Sequence, residues 1–298
     1  MLSTAATAFA MPFSSQHLLV FEEESGKVLL EKNAHDVVPI ASLTKLMTAM
    51  VVLDAKLDMN ETIVIDESDV DRFKFSSSRV PVGAVLTRAE VLELALMSSD
   101  NRAAHALART YPGGMSAFVR ATQAKLIELD MRNTTIEEPT GLSPRNRSTA
   151  TDLVKMATAA SYYPEITSMS TGIEEVVEMN GRPVQYRNTN RLIGREGWDI
   201  RLSKTGYTRE AGKCLVMRLQ SAGKHVIVVL LNARESAARL MDAENVRRFL
   251  TGEPLFAAKA VTKTAKASAR KVARSAKSAL VLTKSKMKTK PGRKRPTT

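Results

Sequence analysis

The sequence predicts an α+β fold. Strand-patterned runs occupy both ends of the body, and helix-periodic runs fill its middle. Glycine-containing turns join neighbouring strand candidates, as in hairpins. Hydrophobic residues make up 44% of the 298, enough for a sizeable core in one large domain or two small ones.

The elements follow in order. His17 to Glu22 and Lys27 to Leu30 read as two strands around Glu24-Ser25-Gly26. Pro39 to Leu53 is apolar with helical spacing, and Asn60 to Asp66 is again β-like. Arg79-Val80-Pro81-Val82-Gly83 is a loop by its Pro and Gly. Thr87, with Glu90 three residues on, forms a capping box that opens a helix through Leu96. A further helix reaches about Arg109 and breaks at Pro112-Gly113-Gly114, and Met115 to Asp130 is helical again. Glu137 to Arg147 is a loop containing Pro139, Gly141 and Pro144. Thr149 caps a helix through Ala160 that is expected to stop near Pro164. Ile200 to Gly206 is a strand running into a glycine. Lys213 to Gln220 and Lys224 to Leu231 form a hairpin across Ser221-Ala222-Gly223, and Glu235 to Leu250 is an amphipathic closing helix.

The net charge of +13 first suggests an anionic partner. Its distribution changes that reading. Glu253 to Thr298 holds fourteen Lys and Arg against the single acid Glu253, so the body is neutral. This Lys/Ala-rich stretch, 253–298, is expected to be a disordered basic tail, because it has too little apolar surface to offset its ordering entropy. It could bind anionic polymers. Residues 1–15 read either as the remnant of a secretory signal, around Ala8-Phe9-Ala10, or as a flexible N-terminus. The folded domain is then 16–252. Cys214 is the sole cysteine, and the four histidines lack metal-ligand spacing, so no metal is expected. No stretch has the length and apolarity of a transmembrane segment.

The candidate chemistry starts at Ser42-Leu43-Thr44-Lys45. Positions three apart on a helix share a face, so Ser42 and Lys45 can touch. A serine hydroxyl needs a base to become a nucleophile, and a lysine serves if burial or a second cation lowers its pKa. The pattern alone is weak. Ser221/Lys224, Ser268/Lys271 and Ser285/Lys288 repeat it, the first in a turn and the others in the basic tail. What sets Ser42 apart is its company: Ser99-Asp100-Asn101 and Lys204-Thr205-Gly206 follow in order, and each occurs once. Taken singly, Ser99 reads equally as a helix cap, Asn101 as a surface residue and Lys204 as an exposed strand lysine.

With these three motifs the chain resembles the penicillin-binding DD-peptidases, serine acyl-transferases that share the triple signature with class A β-lactamases. The flanks Ala-Ser-Leu-Thr-Lys-Leu-Met-Thr-Ala-Met, Leu-Met-Ser-Ser-Asp-Asn-Arg-Ala-Ala, Glu-Pro-Thr-Gly-Leu-Ser and Lys-Thr-Gly-Tyr-Thr are similar to the low-molecular-mass D-alanyl-D-alanine endopeptidases, over roughly His17 to Gly252. The resemblance implies a β-lactamase-like fold: an antiparallel sheet flanked by helices, with a helical subdomain. It implies that Ser42 attacks a D-alanyl carbonyl, that Lys45 takes its proton with Lys204 as the helping cation, and that Ser99 relays the proton to the leaving amine. Asn101 would hold Lys45 and the substrate backbone. Lys204 and Thr205 would bind an anionic substrate group, Gly206 would allow close approach, and the N–H groups of Ser42 and Tyr207 would hold the oxyanion.

Peptidoglycan is then the substrate, β-lactams are covalent inhibitors, no cofactor is needed, and the location is periplasmic or secreted. A D-alanyl-D-alanine carboxypeptidase is the nearest alternative. A class A β-lactamase would need a glutamate to activate water. Glu137 and Glu138 lie in the right region, but their surroundings resemble the peptidases. Readings of another class are a nucleic-acid-binding protein acting through the tail and a catalytically silent wall-binding scaffold.

Overall fold

The computed structural model describes residues 12–256; the expectations for 1–11 and 257–298, the basic tail included, lie outside the described residues. The N-terminal hairpin is β1 (His17–Glu22) and β2 (Lys27–Lys32). A short strand β3 (Val38–Pro39) and a single 3-10 turn (Ala41–Leu43) lead into α1 (Thr44–Asp54). Then come β4 (Thr62–Val64) and β5 (Val85–Thr87), which pair with each other. The helical part holds α2 (Arg88–Met97), α3 (Asn101–Arg109) and α4 (Gly114–Glu128); then β6 (Arg147–Ser148) pairs with β3, and α5 (Ala150–Ala160) and α6 (Pro164–Thr171) follow. A hairpin of β7 (Glu174–Met179) and β8 (Arg182–Arg187) precedes β9 (Asp199–Thr208), β10 (Gly212–Ser221), β11 (Lys224–Ala233) and α7 (Ser236–Thr251). The α+β expectation and the flanked antiparallel sheet are both found.

The main sheet runs β2-β1-β11-β10-β9, antiparallel throughout. Its centre is β11, where Val226 to Leu231 are all buried. An unbroken apolar strand needs cover on both faces. Val226, Val228 and Leu230 join Leu18, Val20, Met217 and Val246 of α7 on one face. Ile227, Val229 and Leu231 join the larger cluster on the other, with Leu153 of α5. That larger cluster also wraps α1, buried from Thr44 to Val52, so the helix after Ser42 is a central pillar.

The capping predictions hold: Thr87 and Glu90 form a capping box, and Thr149 accepts from Asp152 N at 3.0 Å. The Ser221-Lys224 pattern is a two-residue hairpin turn, with Ala222 and Gly223 both at positive φ.

The helix capped by Thr149 ends at Ala160 as expected, and Pro164 opens the next helix, α6, since proline fits the first helical position. The β7–β8 hairpin was not foreseen, although its Asn180-Gly181 turn is a strong hairpin signal. Residues flanking 16–252 are also tied to the body. The buried Asp242 carboxylate accepts Ser14 N at 2.8 Å and Ser15 N at 2.6 Å, while Asn245 Oδ1 accepts Phe256 N at 2.8 Å. Polar groups buried on α7 thus recruit Ser14, Ser15 and Phe256, which residue periodicity does not register.

Candidate active site

Ser42 lies in the 3-10 turn, one step ahead of α1 rather than on it. The preceding Ala41 is held at φ +48, a conformation most side chains avoid. Thr44 Oγ1 donates to its carbonyl at 2.9 Å. Two glycines close on the same turn. A Cβ on Gly206 would sit 3.1 Å from Ser42 N, and one on Gly141 only 2.0 Å from Ala41 O. The absence of side chains lets β9 and the 137–147 loop meet the turn that carries Ser42.

Lys45 is buried, at 1% exposure. Its Nζ reaches Thr140 O at 2.7 Å, Asn101 Oδ1 at 2.7 Å and Ser42 Oγ at 3.0 Å. Two of these partners, a carbonyl and an amide oxygen, only accept. They account for the two protons of a neutral amine and leave its lone pair facing the Ser42 hydroxyl. Burial lowers the Lys45 pKa to about 8, against the opposing pull of the Glu138 and Asp100 carboxylates. The amine can therefore be deprotonated under mild conditions, as a general base requires.

Lys204 is as buried as Lys45, and its Nζ donates to Thr205 O at 3.2 Å. Burial pushes its pKa well below the ordinary value, with the charges of Lys45 and Arg239 adding to the effect. Burial, one of the two causes expected from the sequence, is the main reason for the low Lys45 pKa, and the mutual repulsion of Lys45 and Lys204 further disfavours charging both. Arg239, on α7, is 6% exposed and donates to the Cys214 carbonyl at 2.9 Å. No carboxylate pairs with Lys45, Lys204 or Arg239 among the described residues. Buried cations without counterions favour an incoming anion.

The other candidates fall around this core. Thr205 Oγ1 donates to Thr189 Oγ1 at 2.7 Å. Tyr207 is exposed, with Lys213 Nζ 3.3 Å from its ring centre. Ser99, at φ +61, joins α2 to α3. It does not cap α3; Asp100 does, accepting Ala103 N at 3.0 Å. The capping alternative for Ser99 therefore fails. Its hydroxyl forms no hydrogen bond to Lys45 or Lys204. Asn101 spans two partners, with Oδ1 on Lys45 and Nδ2 donating to Ser76 Oγ at 2.9 Å.

Sequence reasoning missed Ser76, Thr140 and Arg239. Ser76 lies in a loop without periodicity, and Thr140 acts through its backbone. Arg239 looks like any arginine of an amphipathic helix. Glu138 is committed to structure: it accepts Thr140 N and Gly141 N, each at 2.7 Å, and Asn146 Nδ2 at 3.0 Å. Glu137 pairs with Arg145.

Comparisons with known proteins identify the family and the fold. A family model described as Peptidase_S11, D-alanyl-D-alanine carboxypeptidase, matches residues 4–235. A D-alanyl-D-alanine endopeptidase of Pseudomonas aeruginosa is 47% identical over 243 residues, 80% of this chain and 78% of that protein. One from Escherichia coli is 42% identical over 251 residues, covering 83% and 81%. The crystal structure of a Streptomyces DD-transpeptidase superposes with a TM-score of 0.75 at 24% identity, over 84% of this chain and 100% of that one, a likeness of fold.

Proposed function

We infer the reaction from one premise: the chain belongs to the D-alanyl-D-alanine carboxypeptidase family of serine peptidases. It is a serine-type DD-peptidase. The observation that carries a mechanism is Lys45 Nζ, 3.0 Å from Ser42 Oγ with its two other contacts fixed on acceptors. Neutral Lys45 takes the Ser42 proton as Oγ attacks the D-alanyl carbonyl. The backbone N–H groups of Ser42 and Tyr207 hold the oxyanion. Ser99 passes the proton to the leaving amine, and water then releases the acyl group. The substrate carboxylate sits by Lys204 and Thr205, and its negative charge favours the protonated Lys204 that burial disfavours. Gly206 keeps that wall close.

The substrate we propose is the D-alanyl cross-link of peptidoglycan. Endopeptidase action is favoured over removal of a terminal D-alanine because both bacterial relatives described above are endopeptidases. That substrate places the enzyme outside the cytoplasmic membrane. β-Lactams acylate Ser42 as mimics of the D-alanyl bond. The test combines penicillin labelling with product analysis. Ser42→Ala is expected to abolish both the adduct and the conversion of cross-linked dimers to monomers. Release of free D-alanine from pentapeptides without dimer cleavage would reassign the enzyme as a carboxypeptidase. An adduct retained in Ser42→Ala would remove Ser42 as nucleophile.

Ser76 gives a second, smaller expectation. When Lys45 loses its proton, its hold on the Asn101 amide loses charge assistance. Ser76 then keeps the amide in place. Its own N–H is fixed 2.8 Å from Asp71 Oδ2. Ser76→Ala is expected to slow penicillin acylation about tenfold, the equivalent of one net hydrogen bond. Ser76→Thr should restore most of the rate. Equal rates in wild type and Ser76→Ala would mean that Lys45 alone holds the amide.

A further inference from the structure

One ion pair, unused by the mechanism above, ties the two banks of the site together. The first bank is the 71–80 loop, where Ser76 Oγ accepts Asn101 Nδ2 at 2.9 Å. Asn101 holds Lys45, and Lys45 reaches Ser42. The second bank is β9, where a Cβ on Gly206 would lie 3.1 Å from Ser42 N. Beyond Tyr207 this strand turns into β10 through residues 209–211. There Glu210 pairs with Lys74 of the first bank. The contacts thus close into a ring. Buried Lys45 and the Ser42 turn form its floor, and the exposed Lys74–Glu210 pair crosses its open side. Among the described residues no other hydrogen bond or ion pair joins 71–80 to 204–213.

The strap is weak where its supports are strong. The Asp71 carboxylate accepts the N–H groups of Phe73 at 2.8 Å, Lys74 at 2.9 Å and Ser76 at 2.8 Å. Ser78 Oγ donates to Asp100 Oδ2 at 2.7 Å, and Arg79 donates to Gln185 O at 2.7 Å. On the other bank Ala211 N donates to Thr208 Oγ1 at 3.1 Å. Between these fixed segments the Lys74 and Glu210 side chains are 27% and 38% exposed. A pair so open to water is worth little and is screened by salt. Its two side chains can therefore swing apart while both backbones stay in place. The backbone that aims Lys74 is itself unusual, because the next residue, Phe75, is held at φ +55. A left-handed phenylalanine is strained, and strain of this kind persists only where the surroundings impose it.

The course of the substrate gives the strap a role. The mechanism above places the substrate carboxylate at Lys204 and Thr205 and the oxyanion at the Tyr207 N–H. A chain fixed at these points continues along β9 past Thr208, toward Glu210. A compact acyl donor ends short of the strap, and a branched peptide does not. We propose that the Lys74–Glu210 pair sets the size selectivity of the site. Closed, it admits compact acyl donors; it opens by side-chain rotation to admit a branched, cross-linked peptide. This inference rests on the DD-peptidase reading and deepens it by naming residues that choose among substrates of that site.

Two β-lactam probes separate the strap from the reaction. One is 6-aminopenicillanic acid, which carries no acyl side chain. The other is the same nucleus bearing a branched peptide as its side chain. Second-order acylation rates are measured for the full chain, for Glu210→Gln and for the charge exchange Lys74→Glu with Glu210→Lys. Glu210→Gln is expected to raise the ratio of the branched-probe rate to the compact-probe rate about three- to fivefold, the full strength of an exposed ion pair. The charge exchange should return the ratio to the wild-type value. High salt should raise the ratio in wild type and leave it unchanged in Glu210→Gln. An unchanged ratio in Glu210→Gln overturns the proposal. A lowered ratio also overturns it, since the pair would then be a fixed wall that the branched chain uses. If wild type reacts with neither probe, the DD-peptidase reading fails instead.

Discussion

Lys45→Arg is expected to slow acylation by penicillin at pH 8 by about 10²- to 10⁴-fold, the range over which a general base acts. Arginine keeps a cation near Ser42, Asn101 and Thr140, so charge alone is preserved. What is lost is the ability to give up a proton, since a guanidinium stays protonated at any pH the protein survives. The pH profile separates this from simple misplacement. In wild type the rate should climb with pH through about 8, because the reactive form is the neutral amine and burial sets its pKa there. In Lys45→Arg that rise should disappear. Lys204→Ala should weaken carboxylate binding while leaving most of the rise near the same pH, because burial is the main cause of the low Lys45 pKa. A Lys45→Arg enzyme within a few-fold of wild type, with the same limb, would put the base elsewhere.

The same lysine has a cost for folding. Its pKa in the folded protein lies below that of the unfolded chain, so the native state binds its proton less well. The penalty is full below pH 8 and fades as pH rises toward the unfolded value. At ~1.4 kcal/mol per pKa unit it amounts to about 3 kcal/mol at neutral pH. A residue retained against such a penalty is there for chemistry.

The three motifs were legible because each places side chains where neighbours in sequence are neighbours in space. Ser42 and Lys45 meet across one helical turn, and Lys204 to Tyr207 line one strand. Capping positions were legible for the same local reason. What stayed hidden depends on contacts between distant segments. Thr140 contributes a carbonyl, which looks alike for every residue type. Ser76 comes within reach of Asn101 only because Asp71 folds its loop back. Arg239 reaches the site from a helix that packs behind the sheet, and nothing in its periodicity shows which side chain turns inward. Burial and a second cation were both open as the cause of a low Lys45 pKa for a related reason: charge can be read in the sequence, but the extent of burial cannot.

Gly141→Ala is expected to lower acylation about 10²-fold or more while leaving the protein folded, although Gly141 contributes no reacting group. Gly141 sits at φ +84, and a Cβ there would lie 2.0 Å from Ala41 O and 2.8 Å from Ser42 N. Neither atom belongs to a flexible side chain, so one backbone must move. If the turn yields, Ser42 shifts. If the loop yields, Thr140 moves with its carbonyl, and Lys45 loses one of the two acceptors that aim its lone pair. The loop itself is stiff, because Glu138 holds Thr140 N, Gly141 N and Ser143 N. Either displacement breaks the Ser42–Lys45 geometry, and misplacements near 1 Å cost about 10²-fold in rate. Gly26→Ala is the control. Gly26 has a similar φ of +65, but a Cβ there meets nothing within 4 Å. It should share the left-handed strain of ~1–2 kcal/mol in thermal unfolding and leave acylation unchanged. If Gly141→Ala unfolds like Gly26→Ala and acylates at the wild-type rate, the turn around Ser42 is soft, and its fixed geometry is not what activates the serine.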